Sequence, residues 1–139
     1  ASALAVGRVG VWMLGDGDGE LTLKDGYDSG GRRHTRGERL NTDRCPHYIR
    51  AQENDWIIAA TDALTDPRTE ELAPYYLRPA GIGALLDAGI FVGGKLVGII
   101  CHEHMETPRA WHSDEISLAR SASEFLTRTI LRAEHLRAQ

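Results

Sequence analysis

Two stretches of this sequence bring chemically useful side chains close together: Cys45-Pro46-His47-Tyr48, and Cys101-His102 with His104. Thiols and imidazoles in such pairs can hold zinc. His102 and His104 would share one face of a strand, because side chains alternate along it. Zinc requires three or four ligands converging within about 2.0–2.3 Å, and these pairs lie in separate segments. The expectation is therefore structural histidines at a strand end and no metal. A Cys-His nucleophile pair, Cys45 with His47 or His104, would need a thiolate activated in a cleft. Cys45 beside a helix start has part of that character, but a plain cysteine of a capping region is expected, and no catalytic residue is assigned. Asp16-Gly17-Asp18 opens like a calcium loop, yet the sixth position counting from Asp16, where such a loop needs glycine, holds Leu21. A turn is expected there instead. Tyr48, Tyr75 and Tyr76 are expected in the core or a cavity wall, rings inward and hydroxyls at a polar edge. The residues expected to touch a ligand are Tyr48, Tyr76, Arg78 and His102.

The elements that must position these residues follow from periodicity. Arg8 to Leu14 is apolar and rich in valine, and Leu21 to Lys24 alternates apolar with polar, so a first hairpin is expected across Gly15–Gly19. Glycine and charge dominate Ser29 to Arg44, which reads as a long mobile loop. Cys45-Pro46 opens a short helix to about Asn54, with proline at a first-turn position that tolerates its missing N–H. Trp56 to Thr61 reads as a buried strand. Asp66-Pro67-Arg68 is a turn, Thr69 caps a helix with Glu70 and Glu71 in its first turn, and that helix stops near Pro79–Gly81. Ala84–Val92 and Lys95–His104 form a second hairpin on Gly93-Gly94, and their continuous apolar runs require cover on both faces. Ser113 caps a last helix, with Asp114 and Glu115 in the first turn and Ile116, Ala119, Ala122, Phe125, Leu126, Ile130 and Leu136 along it. Its apolar positions spread beyond one stripe, so a helical dimer seam is expected.

Composition bounds the classes of function. The chain of 139 residues fits one domain with a true core, since this size buries roughly two thirds of the unfolded surface. No apolar run approaches the ~20 residues of a membrane helix. A net charge of -4 argues against a general nucleic-acid binder, and the basic cluster Arg32, Arg33, Arg36 and Arg39 lacks interleaved aromatics that would stack on bases. The only two cysteines are too few for a disulfide framework, which points to a reducing compartment, the cytoplasm. The start at Ala1, without Met or a basic leader, reads as one domain over residues 1–139 cut from a longer chain.

Two hairpins flanking short helices, with a long helix at the end, make an α+β architecture: a central antiparallel sheet of five to six strands between helix layers. The stretch Tyr75-Tyr76-Leu77-Arg78-Pro79-Ala80-Gly81-Ile82-Gly83-Ala84-Leu85-Leu86-Asp87-Ala88-Gly89-Ile90, then Gly94 to His104, Trp111 and Asp114-Glu115, resembles the second half of a GAF domain. The resemblance implies a GAF/PAS-like fold with a ligand cavity on one face of the sheet and terminal helices on the other. It further implies a sensory domain upstream of a signalling module. The leading expectation is the input domain of a bacterial two-component sensor histidine kinase, binding a small ligand or relaying a signal through paired helices; the alternative is a diguanylate cyclase. From another class, free methionine sulfoxide reductases share the fold but use several clustered cysteines. Phytochromes, also GAF proteins, attach bilin to a cysteine that would fall at Leu72 here, so no covalent bilin and no other cofactor is expected. The nucleotide-binding signature is incomplete: Trp111 stands where its phenylalanine is shifted by one position, and no Asn-Lys pair is present.

Overall fold

The computed structural model describes residues 7–15, 19–29 and 32–138. Its centre is the hairpin of β6 (Ile82–Val92) and β7 (Lys95–Met105). Gly93 and Gly94 turn it with φ of +59° and +77°, the left-handed pair that a tight primed turn demands. Strand β1 (Arg8–Leu14) pairs antiparallel with β7 and with β2 (Glu20–Asp28), while β5 (Ile57–Ala60) pairs with β6. Two short strands, β3 (Arg33–Thr35) and β4 (Arg39–Asn41), both pair with β2. The order is β3-β2-β1-β7-β6-β5, seven antiparallel strands with β4 off the path.

The two extra strands correct the expectation of a loop from Ser29 to Arg44 and of at most six strands. Residues 32–39 are exposed, so no hydrophobic period marks them. Backbone pairing holds them instead: β2 runs on to Asp28, and Leu23 N–H donates to the Glu38 carbonyl at 2.8 Å. The turn expected at Gly15–Gly19 and the Asp16 loop fall largely on residues 16–18, outside the described residues, as do the chain start at Ala1–Val6 and Gln139.

Register divides the sheet into two faces. Asp87 sits opposite Cys101 and Leu85 opposite Glu103, whereas Leu86 sits opposite His102 and Ala88 opposite Ile100. The first set, with Trp12 and Leu21, lies beneath α1 (Pro46–Asn54) and a mixed helical run over Glu70–Ala80. The second set meets α3 (Ser113–Ala138) through Ala119 and Ile116, with Trp111 from the segment before it. Helices therefore cover both faces, as the apolar strands require.

The helix ends differ from expectation in ways that matter for the site. Thr69 makes no cap; its hydroxyl is buried and donates to the Ala63 carbonyl at 2.7 Å. The run after it is a 3-10 turn (Glu70–Leu72), a π turn (Ala73–Leu77) and one α turn, α2 (Arg78–Ala80), closed by Gly81 at φ +74°. Pro74 and Pro79 lack the N–H that a regular helix uses, which favours this widened path. The α1 start is capped from outside by Glu71, whose carboxylate accepts from the His47 and Tyr48 N–H groups at 2.8 and 3.2 Å. At α3 the Glu115 carboxylate reaches back to the His112 N–H at 2.9 Å. Ser113, the expected cap, is already inside the helix. No described helix is long and apolar enough to cross a membrane.

Candidate functional site

Alternation along β6 and β7 aims Asp87, Cys101 and Glu103 at the α1 side of the sheet, beneath aromatic residues from three other elements. Trp12 comes from β1, Tyr48 from α1 and Tyr76 from the π turn. Together with leucines they enclose a cavity of about 20 Å³, close to the room that one water needs. A larger cleft of about 140 Å³ adjoins it between β1, β2 and β3, lined by Arg8, Tyr27, Arg33 and Glu38. Trp12, Tyr76 and Glu103 line both spaces, so they form the wall between them.

The carboxylates are only 1% (Asp87) and 3% (Glu103) exposed. Burying a charge is costly unless it is paired, and the two are treated differently. Glu103 accepts from Arg8 Nε at 2.9 Å and from the Tyr76 hydroxyl at 2.5 Å, while Arg8 also donates to the Tyr76 oxygen at 2.9 Å. Asp87 receives the Tyr48 hydroxyl on Oδ2, and its Oδ1 has no hydrogen-bond partner. No cation pairs with it among the described residues. Burial pushes the Asp87 carboxyl up to about 7, against the lowering effect of the Tyr48 bond, and the charge of Glu103 adds to the rise. Burial also raises Glu103, with Arg8 opposing. Both tyrosines are held above their ordinary range by burial and then by the neighbouring carboxylate.

Neither thiol is an activated nucleophile. Burial and the Glu71 charge push Cys45 up to about 12, and burial with Asp87 raises Cys101. Thiolates need the opposite environment. Cys45 points its thiol at the Asn41 carbonyl, 3.6 Å away, and His47 faces Glu71 at 3.2 Å. Among the described residues, no three metal-binding side chains come together.

Of the four residues expected to meet a ligand, Tyr48 and Tyr76 line the enclosed cavity. His102 and Arg78 do not. His102 lies on the α3 face, 4% exposed, with Nδ1 at 3.0 Å from the Leu86 carbonyl; its side chain alternates away from Cys101 and Glu103. Arg78 is exposed on a surface groove with His47, Glu70 and Pro74. Tyr75, expected inward, is 53% exposed beneath the Arg44 guanidinium. Asp87 and Glu103 were not singled out by sequence reasoning. Their signal is a lone carboxylate inside an apolar strand that must be buried on both faces. A larger groove of about 490 Å³ runs between Trp56, Phe91 and α3, but it is open and its charged residues, Glu53, Glu124 and Arg128, are all exposed.

Comparison with known proteins places this geometry. No curated protein sequence matches the chain. Among solved structures, the blue-light absorbing form of the PixJ GAF domain of Thermosynechococcus elongatus is 24% identical with a TM-score of 0.74, covering 99% of this chain and 83% of that one. The phycoerythrobilin-bound GAF domain of a cyanobacterial phytochrome is 18% identical, with a TM-score of 0.78 over 99% of this chain and 82% of that one. A domain of a two-component sensor histidine kinase protein from Sinorhizobium meliloti is 18% identical, with a TM-score of 0.64 over 99% and 89%. At these identities the likeness is one of fold. The sequence model of the family described as GAF domain matches residues 1–130, and on that match the chain belongs to the GAF domain family.

Proposed function

We propose that this chain is the non-enzymatic sensory input domain of a two-component sensor histidine kinase, in which a small molecule held between the sheet and the α1 side biases the packing of paired α3 helices. The observation that carries the reading is the largely apolar cavity with two buried carboxyl groups, Asp87 and Glu103, in its lining on one face, with an unpartnered apolar stripe on the helix covering the other. Leu118, Phe125 and Leu136 are 48%, 62% and 63% exposed on α3. Their spacing of seven and eleven residues returns them to one side of a helix, the side a second copy of α3 would meet. A ligand can act on such a seam only by favouring one of its two arrangements. That bilin-bound GAF domains share the fold supports small-molecule binding, and the sensor kinase relative supports the output. Leu72, which the family resemblance aligns with the bilin-bearing cysteine of phytochromes, is buried against the cavity, and this supports a ligand held without a covalent bond.

Native mass spectrometry of the chain recovered from its own cells tests the reading. A non-covalent adduct of defined mass is expected, and a bare chain throughout would overturn it. The output is tested by the flanking gene sequence, where a kinase core following α3 is expected.

A further inference from the structure

Resting on the ligand-binding reading above, we propose that the enclosed cavity is a site for a small primary ammonium group, held against the free oxygen of Asp87 between Trp12, Tyr48 and Tyr76. Three observations converge on that chemistry. Asp87 Oδ1 is a buried acceptor that meets no donor at hydrogen-bond geometry, and the Cys101 thiol is the weak neutral donor nearest the carboxyl. Such an atom is rare in folded proteins and calls for a partner. When Asp87 is ionised the charges in the cavity do not balance: Arg8 pairs with Glu103, and Asp87 has no counter-ion among the described residues. A neutral donor would satisfy the oxygen but leave the charge, whereas an ammonium does both. Three of the lining residues, Trp12, Tyr48 and Tyr76, are aromatic, and aromatic rings attract a desolvated cation.

Size limits the group. About 20 Å³ admits a head of one or two heavy atoms, so a guanidinium or a quaternary ammonium does not fit without rearrangement. Any larger body of the ligand would have to displace Tyr76 and enter the adjoining cleft. The groups facing Asp87 are Tyr48 from α1 and Cys101 and Glu103 from β7, with Arg8 of β1 and Tyr76 of the π turn one bond further on. Of these, Asp87 is the one held near neutrality. Its ionised form is the partner of an ammonium, so binding should weaken as pH falls through about 7.

The probe is methylammonium, with methanol as its neutral counterpart of equal size, titrated into the whole chain while carboxyl ¹³C resonances are followed by NMR. A two-atom probe binds at best in roughly the millimolar range. The expected result is a saturable shift at Asp87 with at least a tenfold preference for methylammonium, weakening about tenfold between pH 8 and pH 6 as the carboxyl takes its proton. Asp87→Asn should abolish the preference; should that variant fail to fold, the resonance of wild-type Asp87 carries the test alone. Equal response to methanol, shifts confined to exposed carboxylates, or a single ordered water with neither probe moving Asp87 would each overturn the proposal. An adduct from cells that carries no amine would leave the sensory reading intact and sink this one. Methylammonium bound at Asp87 in a chain that carries no cellular ligand would do the reverse.

Discussion

Asp87 shows how one residue can set the behaviour of the cavity. Its carboxyl stands near 7 in the fold and near 3.8 when the chain is open. The native state therefore holds a proton that the unfolded state has released, and stability from this group falls as pH rises between those values, by up to about 1.4 kcal/mol per pH unit. Asp87→Asn keeps an acceptor for Tyr48 and removes the titration. Its stability, measured by urea unfolding from pH 4 to pH 8, is expected to decline less steeply than that of the wild type; parallel curves would show that Asp87 ionises normally. At Leu72 the prediction is negative: the chain produced together with phycocyanobilin should lose all colour on denaturation, and an absorbance that persists would refute it. Sequence reasoning reached Tyr48 and Tyr76, because phenols near helix starts have few resting places except a core with a polar edge. His102, expected to meet a ligand, lies on the α3 face, whereas Glu103 beside it faces the cavity. Which of two adjacent residues faces a cavity depends on register, and register is set by partner strands distant in sequence.

Elements with strong local signals were legible, and those held by distant partners were not. The β6–β7 hairpin follows from two adjacent glycines between apolar runs. Short strands β3 and β4 have no such pattern; apart from Leu40, which packs against the core, their side chains are exposed, and the edge of β2 pairs with both. Caps show the same division. An acidic first turn of α3 was evident, but the partner of Glu115 is Arg109, which grips the carboxylate with both contacts at 2.8–2.9 Å before the helix begins. Glu115 is 8% exposed, so the pair joins the approach to α3 rather than decorating its surface. Its carboxyl lies below its ordinary range because the His112 N–H and Arg109 outweigh the opposing cost of burial. Stability from Glu115 is therefore present above the normal glutamate range and is lost as pH falls through the depressed value. Glu115→Ala is expected to cost about 1–3 kcal/mol in chemical denaturation at pH 7, and the cost should shrink in acid. A cost below measurement error would show that the helix start stands without it.

For the molecule as a whole, the two sheet faces divide the work. One face buries two carboxyl groups beside a small cavity; the other, among the described residues, is covered by a helix that still exposes apolar surface. Helix α3 packs on β6 through the small Ala119, and its buried Ser123 accepts from Trp56 Nε1, while Leu118, Phe125 and Leu136 stay exposed. Large apolar side chains aligned along a helix flank mark a partner surface more often than chance exposure. A second copy of α3 is the occupant that makes the sensory reading mechanical, since the cavity and the seam share the same strands, β6 and β7. Changing Phe125 and Leu136 together to glutamate sets like charges along the proposed seam without touching the sheet contacts at Ala119. Sedimentation of the wild-type chain is expected to show a concentration-dependent dimer, and of the double variant a monomer at the same concentration, with unchanged far-ultraviolet circular dichroism. A dimer that survives both substitutions would place the seam on another surface. A wild-type chain that stays monomeric at high concentration would remove the route by which a ligand beneath β6 and β7 could bias an output helix.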